Sequence, residues 1–263
     1  MRVVFCDIDG TLLRNDKSLS DNNRYALKKL VEQGDRFVLV TGRCPDALYP
    51  LLEDLAIEPE PDCIYCSGTY MERGRRAVFS TGFSHAQAEE ILAFLEEKRL
   101  SYSIYSEKLW ISPRRDENLE LEERLVRAKS AIGTLADIPK DAPITKFLVM
   151  STDEAVKGVR RMLKERFPQY EFLSGMGYLI DVTKGDIDKG RACEKYCELY
   201  GIDIHKALCF GDGYNDESML RAVGNAYVMA NAEADLKARF PNHALSNEED
   251  GVYHKLMELG WID

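Results

Sequence analysis

The sequence predicts an α/β protein: a doubly wound parallel sheet interrupted by a second, inserted α/β domain. Three observations carry this. Short apolar runs at 3–6, 37–40 and 207–210 alternate with amphipathic stretches of helical period. Each run stops at a polar cluster: Asp7-Ile8-Asp9, Thr41-Gly42-Arg43 and Gly211-Asp212-Gly213. That grammar holds near both ends of the chain and fails between them, since Thr41 and Lys189 are 148 residues apart, far more than one βα repeat needs.

In chain order, the run Val3-Val4-Phe5-Cys6 reads as a strand buried on both faces. Ser20 can cap a helix over about 21–33, with Ala26, Leu27, Leu30 and Val31 on one face and Gly34 as its stop. A second buried strand covers 37–40, and Pro45 can open a helix to about Leu55. One more βα unit and a hairpin with its turn at Arg73-Gly74 complete the first core segment. Core residues are expected at 1–81 and 183–263, with the insert at 82–182. Within the insert, Ser84 and Gln87 form a capping box for a helix to about Arg99. Strands follow near 102–105 and 109–111, then a charged helix over about 116–131. A strand at 147–150, a helix at about 153–166 and strands near 170–173 and 178–182 complete a mostly antiparallel sheet. The core resumes with a helix at about 189–200, stopped by Gly201, and a strand at 207–210. A helix at about 216–222, a strand near 226–229 and a last helix carrying Val252, Leu256 and Leu259 follow.

Of 263 residues, 45% are hydrophobic, enough for a real core, while 35 basic and 45 acidic side chains leave a net charge of −10. That balance argues against nucleic acid as a partner, because a phosphate backbone needs a basic face. No apolar run approaches the ~18 residues of a membrane span, and Asp7 comes too early for a signal peptide. Seven scattered cysteines make an odd count without a disulfide framework, which reads as reduced thiols in the cytoplasm. Cys63 and Cys66 have CxxC spacing, but no second pair or nearby His would complete a zinc site.

The polar clusters carry the chemistry. Asp7-x-Asp9, Thr41, Lys189 and Asp212-x-x-Asn215-Asp216 all fall at one edge of the expected sheet, where doubly wound folds bind ligands. Carboxylates at the ends of neighbouring strands repel unless a cation neutralises them, and Mg²⁺ prefers such oxygen ligands beside a substrate phosphate. Asp7 can serve as ligand and nucleophile, and Asp9 can give and take a proton. A Thr hydroxyl, backbone N–H groups and one ammonium can hold the phosphoryl oxygens.

These residues carry a resemblance. Asp7-Ile8-Asp9-Gly10-Thr11-Leu12-Leu13 resembles motif I of the haloacid dehalogenase superfamily. Val40-Thr41-Gly42-Arg43 resembles motif II, Lys189-Gly190 motif III, and Gly211-Asp212-Gly213-Tyr214-Asn215-Asp216 motif IV. Motif order and the insert between motifs II and III resemble the Cof-type sugar-phosphatase branch, with a Rossmann-like core and an α/β cap of the C2 type. The resemblance implies a Mg²⁺-dependent phosphatase for small phosphorylated metabolites, acting through a phospho-aspartate. By it, Asp7 is nucleophile and metal ligand, and Asp9 is general acid/base and a ligand through its carbonyl. Asp212 ligates the metal; Thr41, Gly42, Lys189 and Asn215 bind phosphate; Asp216 orders the site. Lys184-Gly185 repeats the motif III dipeptide, but Lys189 directly precedes the helix. Where relatives carry Asn-Gly after the third strand, this chain has Ser67-Gly68.

Arg43 can contact substrate or hold a salt bridge at its helix start. In the insert, Tyr102, Tyr105, Trp110, Arg114 and Arg115 would suit a sugar or an aromatic leaving group, although the aromatics also fit cap core. The helix at 116–131, with Glu117, Glu120, Glu122, Glu123, Arg124, Arg127 and Lys129, reads as a solvated face. His85, His205, His243 and His254 share no spacing. A phosphomutase of the phosphomannomutase type is the alternative enzyme. A non-enzymatic phospho-aspartate switch would be shorter and lack the insert.

Overall fold

Val3 to Cys6 form strand β1, and all four side chains are buried, as a parallel strand covered on both faces requires. The computed structural model describes residues 1–126, 128–152, 154–174 and 178–263. Helix α1 (Asp21–Glu32) starts where the Ser20 hydroxyl accepts from the Asn23 N–H. Strand β2 (Arg36–Val40), helix α2 (Pro45–Leu55), strand β3 (Asp62–Tyr65) and the hairpin β4 (Tyr70–Arg73) and β5 (Arg76–Ser80) follow.

Next come α3 (His85–Glu97), β6 (Ser101–Ser106), β7 (Leu109–Ser112), α4 (Glu117–Val126) and β8 (Ala131–Ile132). They are followed by β9 (Lys146–Met150), α5 (Val156–Arg166), β10 (Glu171–Ser174) and β11 (Leu179–Thr183). The last stretch holds α6 (Lys189–Tyr200), β12 (Leu208–Gly211), α7 (Glu217–Ala222), β13 (Asn225–Met229), α8 (Ala234–Lys237), β14 (His243–Ala244) and α9 (Gly251–Glu258). No helix among the described residues is long and apolar enough to cross a membrane.

The chain folds as two compact units. Met1–Gly42, Leu51–Val78 and Ile187–Asp263 make the first; Arg43–Pro50 and Phe79–Asp186 make the second. An eight-stranded sheet runs β14-β13-β12-β1-β2-β3-β4-β5. Its pairs from β14 through β3 are parallel, and β4 returns antiparallel to β3. β1 thus lies between β2 and β12, so its C-terminal end has a neighbour ending on each side.

The second unit has a sheet of order β10-β11-β9-β6-β7-β8, antiparallel except for the β7–β8 pair. Its core joins Phe83, Ile91 and Leu95 to Ile104, Phe147, Leu163, Phe167 and Ile180, which places helices α3 and α5 on the same sheet face. The Ser84–Gln87 capping box opens α3 as expected. Tyr102, Tyr105 and Trp110 are buried, and the last two stack at 5.6 Å. Arg114 pairs with Glu96 and Arg115 with Glu123. Tyr102 joins the hydrophobic core of this unit, whereas Tyr105 and Trp110 lie on the other face of the sheet, with the Lys146 ammonium 4.9 Å from the Tyr105 ring.

One stretch departs from the sequence reading. The helix expected over 116–131 ends at Val126, and Ala131–Ile132 pairs with β7 instead. Glu122 and Glu123 are buried rather than solvated. The cause is local: Glu123 accepts from Arg115, Lys129, the Ser130 N–H and the Ser130 hydroxyl. Turning the chain back on Glu123 ends the helix and satisfies a carboxylate that would otherwise be too costly to bury. Those donors hold Glu123 down at about 2 against the pull of burial. Arg127 in that span, and Asp153 at the expected start of α5, lie outside the described residues.

Candidate active site

Asp7 is the first residue beyond β1, and its N–H still donates to the Phe210 carbonyl at 3.0 Å, extending the ladder to β12. Thr41 stands in the same place beyond β2, donating to the Ile64 carbonyl at 2.8 Å and accepting from the Ser67 N–H at 2.9 Å. Asp212 follows β12. Three adjacent parallel strands therefore deliver Asp212, Asp7 and Thr41 to one edge, as their positions in sequence anticipate.

Lys189 reaches them from the first turn of α6. The Asp188 side chain caps that helix by accepting from the Arg191 N–H at 2.9 Å, which fixes where Lys189 starts. Gly190 then allows close packing: a Cβ there would lie 2.4 Å from the Ser218 carbonyl oxygen. The Lys189 ammonium is fully buried and donates to Asp7 Oδ1 and Asp216 Oδ1, each at 2.5 Å. Lys184, by contrast, pairs with Asp186 and is partly exposed.

The loop after β12 folds around Asp216. Its Oδ2 accepts the backbone N–H groups of Asp212 at 3.0 Å and Gly213 at 2.9 Å. Both oxygens of Asp216 are thus engaged by donors. Asp212 Oδ1 accepts from the Thr11 hydroxyl at 2.8 Å, and its Oδ2 lies 3.5 Å from the Asn231 amide. Gly10, at φ +88°, passes so close that a Cβ would meet Asp212 Oδ2 at 2.4 Å. Only glycine suits both that conformation and that approach.

Carboxylate oxygens of Asp7, Asp212 and Asp216 lie within 4.8 Å of one another. Three carboxylates around one ammonium leave an excess of two negative charges at a buried site. Burial first, then the Asp216 charge, pushes Asp7 well above the ordinary carboxylate range, although Lys189 opposes the shift. The same two causes raise Asp212 to about 6, against the Thr11 hydrogen bond. Burial pulls the Lys189 ammonium down, but Asp216 and Asp7 outweigh it and raise it above its usual value. Such a donor set fits a hard divalent cation, which takes oxygen ligands and cancels charge of this sign. Among the described residues the second Asp7 oxygen accepts no hydrogen bond, so Asp7 and Asp212 keep lone pairs for a metal while Asp216 orders the loop.

The remaining expected residues are placed differently. The Asp9 carboxylate is partly exposed and pairs with Lys17 at 2.9 Å. Asn215 is exposed beside it in sequence to buried Asp216. Arg43 belongs to the second unit, where its Nη1 donates to the Ala47 carbonyl at 3.3 Å. Thr11, Lys17 and Asn231 escape the sequence reading as site residues. Thr11 sits inside the first motif and had a signal in its position; Lys17 and Asn231 had none. Asn231 ties three segments, donating to the Gly10 carbonyl at 2.8 Å and accepting from the Asn247 N–H at 3.1 Å.

Comparison with known proteins identifies the family. The family model for haloacid dehalogenase-like hydrolases matches residues 4–256. A 5-amino-6-(5-phospho-D-ribitylamino)uracil phosphatase of Bacillus subtilis is 28% identical, covering 98% of both chains. A pyridoxal phosphate phosphatase of Escherichia coli is 27% identical, covering 90% of this chain and 91% of that one. A solved haloacid dehalogenase-like hydrolase from Bacteroides thetaiotaomicron superposes with a TM-score of 0.87 at 24% identity, covering 98% and 99% of the two chains. With carboxylates and a threonine at the strand ends and a lysine opening α6, the chain belongs to the haloacid dehalogenase-like hydrolases, in the Cof-type branch to which its motif order and insert point, and is a phosphatase.

Proposed function

We propose that the protein is a Mg²⁺-dependent phosphomonoesterase for small phosphorylated metabolites, sugar phosphates foremost, working through an aspartyl-phosphate on Asp7. The observation that carries this reading is the buried Asp7 carboxylate, held at one oxygen by Lys189 and set beside Asp212. The held oxygen fixes the carboxylate's direction and leaves the other for attack on phosphorus. As the phosphorus–oxygen bond to the leaving group breaks, Asp9 donates its proton to that oxygen. Asp9 then takes a proton from the water that attacks the aspartyl-phosphate, releasing phosphate and restoring Asp7. Lys189 stays beside the transferred group as charge moves, with the Thr41 hydroxyl, the Gly42 N–H and Asn215 as further donors. Asp7, Asp212 and the Asp9 carbonyl would hold Mg²⁺, which supplies neutralising charge for the phosphoryl group. Residues 82–182 serve as the cap that selects the leaving group, and Arg43 is the candidate substrate contact at its margin. Seven free, buried thiols fit a reducing compartment such as the cytoplasm.

The two curated relatives bear the names of phosphatases for unlike substrates, so the test needs a panel. Phosphate release from sugar phosphates, phosphorylated cofactors, nucleotides and p-nitrophenyl phosphate is expected with Mg²⁺ and not with EDTA. Release that ignores the metal would overturn the reading. Turnover seen only as phosphoryl return to a sugar, given a bisphosphate activator, would install the mutase in its place.

The titration of Asp212 supplies a second test. Its value of about 6 lies above the ordinary 3.8, so the folded state binds this proton more tightly than the unfolded chain. The metal-free fold is therefore favoured at low pH and loses that stability as pH rises from about 4 to about 6. Mg²⁺ cancels the charge that appears, so the Mg²⁺-induced rise in Tm is expected to be larger at pH 7 than at pH 5. Equal shifts at both pH values would remove Asp212 from the metal site.

A further inference from the structure

The catalytic groups stand at the C-terminal ends of β12, β1 and β2, but the opposite edge of the same sheet has a cavity of about 800 Å³. Arg36 at the start of β2, Asp62 at the start of β3, Arg73 ending β4, Arg76 starting β5 and Tyr200 ending α6 line it. Arg36 and Thr41 lie at opposite ends of β2, so the cavity is about 16 Å from the catalytic edge at ~3.3 Å per residue. Its volume is in the range of small-ligand sites.

Its charge is the reverse of the catalytic centre's. Two carboxylates in the wall are already matched by arginines that do not line it. Asp35 accepts the Arg2 backbone N–H and Nε, each at 2.7 Å. Glu60 is held by Arg75 through Nε at 3.0 Å and Nη2 at 2.8 Å, and Arg75 also reaches Glu53. That leaves Asp62, whose carboxylate accepts the Tyr196 hydroxyl. It lies only loosely against Arg36 at 3.7 Å and Arg73 at 3.9 Å. Arg76 has no ion pair among the described residues. Three guanidinium groups thus face one carboxylate, a local excess of two positive charges in a chain of net charge −10.

The arginines are also positioned. Arg36 stacks over the Tyr200 ring at 4.0 Å from its centroid, and Arg73 sits 5.2 Å from the same ring. Arg36 further donates to the Tyr196 hydroxyl at 2.9 Å. A guanidinium held by its face on an aromatic ring keeps its N–H edge for hydrogen bonding. Paired edges of this kind match a tetrahedral oxyanion.

We propose that this cavity is a second anion site, separate from the catalytic centre, which takes a phosphate group through Arg36, Arg73 and Arg76. The group can arrive as free phosphate or on a small phosphorylated metabolite, and the experiment distinguishes the two. Calorimetric titration in EDTA isolates the cavity, because without metal the catalytic centre holds three carboxylates against one ammonium and repels anions. One equivalent of inorganic phosphate or of glucose 6-phosphate is expected to bind the wild type. Tighter phosphate identifies a product site, and tighter glucose 6-phosphate a metabolite site. The Arg73→Gln/Arg76→Gln double variant changes two exposed side chains, so it should fold and keep Mg²⁺-dependent turnover. It should bind about tenfold more weakly or worse, the loss expected for charge-assisted hydrogen bonds of ~1.5 kcal/mol or more. Arg160→Gln/Arg161→Gln, on the exposed face of α5, removes the same net charge and should leave binding unchanged. No saturable binding in EDTA, or equal weakening by the two double variants, would overturn the proposal.

Discussion

Asp7→Asn is expected to lower turnover by more than about a thousandfold, because the amide oxygen is a poor nucleophile toward phosphorus. The same variant should melt higher than wild type in EDTA. Asp7 shares its space with Asp216 and Asp212, and burial has already driven it well above the ordinary carboxylate range. Asparagine removes one of three crowded negative charges yet keeps an oxygen that can accept from Lys189. Lost activity with gained apo stability is a signature that general misfolding does not produce. Turnover within tenfold of wild type would take the nucleophile's role away from Asp7, and a lower Tm would mean that Lys189 needs the charge and not only the acceptor.

That pair of outcomes was half legible in the sequence. Four apolar residues followed by Asp7 announce a buried parallel strand with a polar end, and the same holds for 37–40 before Thr41 and for β12 before Asp212. Period and polarity sufficed because neighbouring parallel strands end together. What the sequence hid depends on contacts between distant segments. The resemblance gives Asp216 an ordering role but not its means: its two oxygens are shared among Lys189 and two backbone N–H groups. Asn231 gains its role only when the loops carrying Gly10 and Asn247 meet it. Glu123 was misread for a related reason. A charged residue on a charged helix looks solvated until Arg115, Lys129 and Ser130 close over it.

Lys189→Met is the second large effect. The ammonium is wholly buried and is the cation that Asp7 and Asp216 share. Removing one partner of a buried ion pair strands the other charge, at a cost of ~3–5 kcal/mol; here two carboxylates are stranded. The variant should therefore be markedly destabilised at pH 7 in EDTA and inactive with Mg²⁺. Acid should rescue its fold. With the ammonium gone, Asp7 loses the neighbour that opposed its upward shift, and burial and the Asp216 charge favour its protonated form in the folded state, so stability rises as pH falls from 7 to 5. Urea denaturation at the two pH values measures this directly. A variant as stable as wild type at pH 7, or one that weakens further at pH 5, would show that the cluster is not held together by this charge.

The place of β1 between β2 and β12 also sets a schedule. A ribosome releases the chain from its N-terminus, so β1 and β2 emerge early with one flank of β1 still unpaired. Residues 79–186, the bulk of the second unit, then leave as a continuous run before Lys189, β12 or Asp216 exists outside the tunnel. The cluster of Asp7, Lys189, Asp212 and Asp216 can therefore assemble only after the bulk of the second unit has emerged. Until residue 189 has emerged, Asp7 waits at an open strand end with neither its lysine nor its neighbouring carboxylates, and the set is complete only when residue 216 follows.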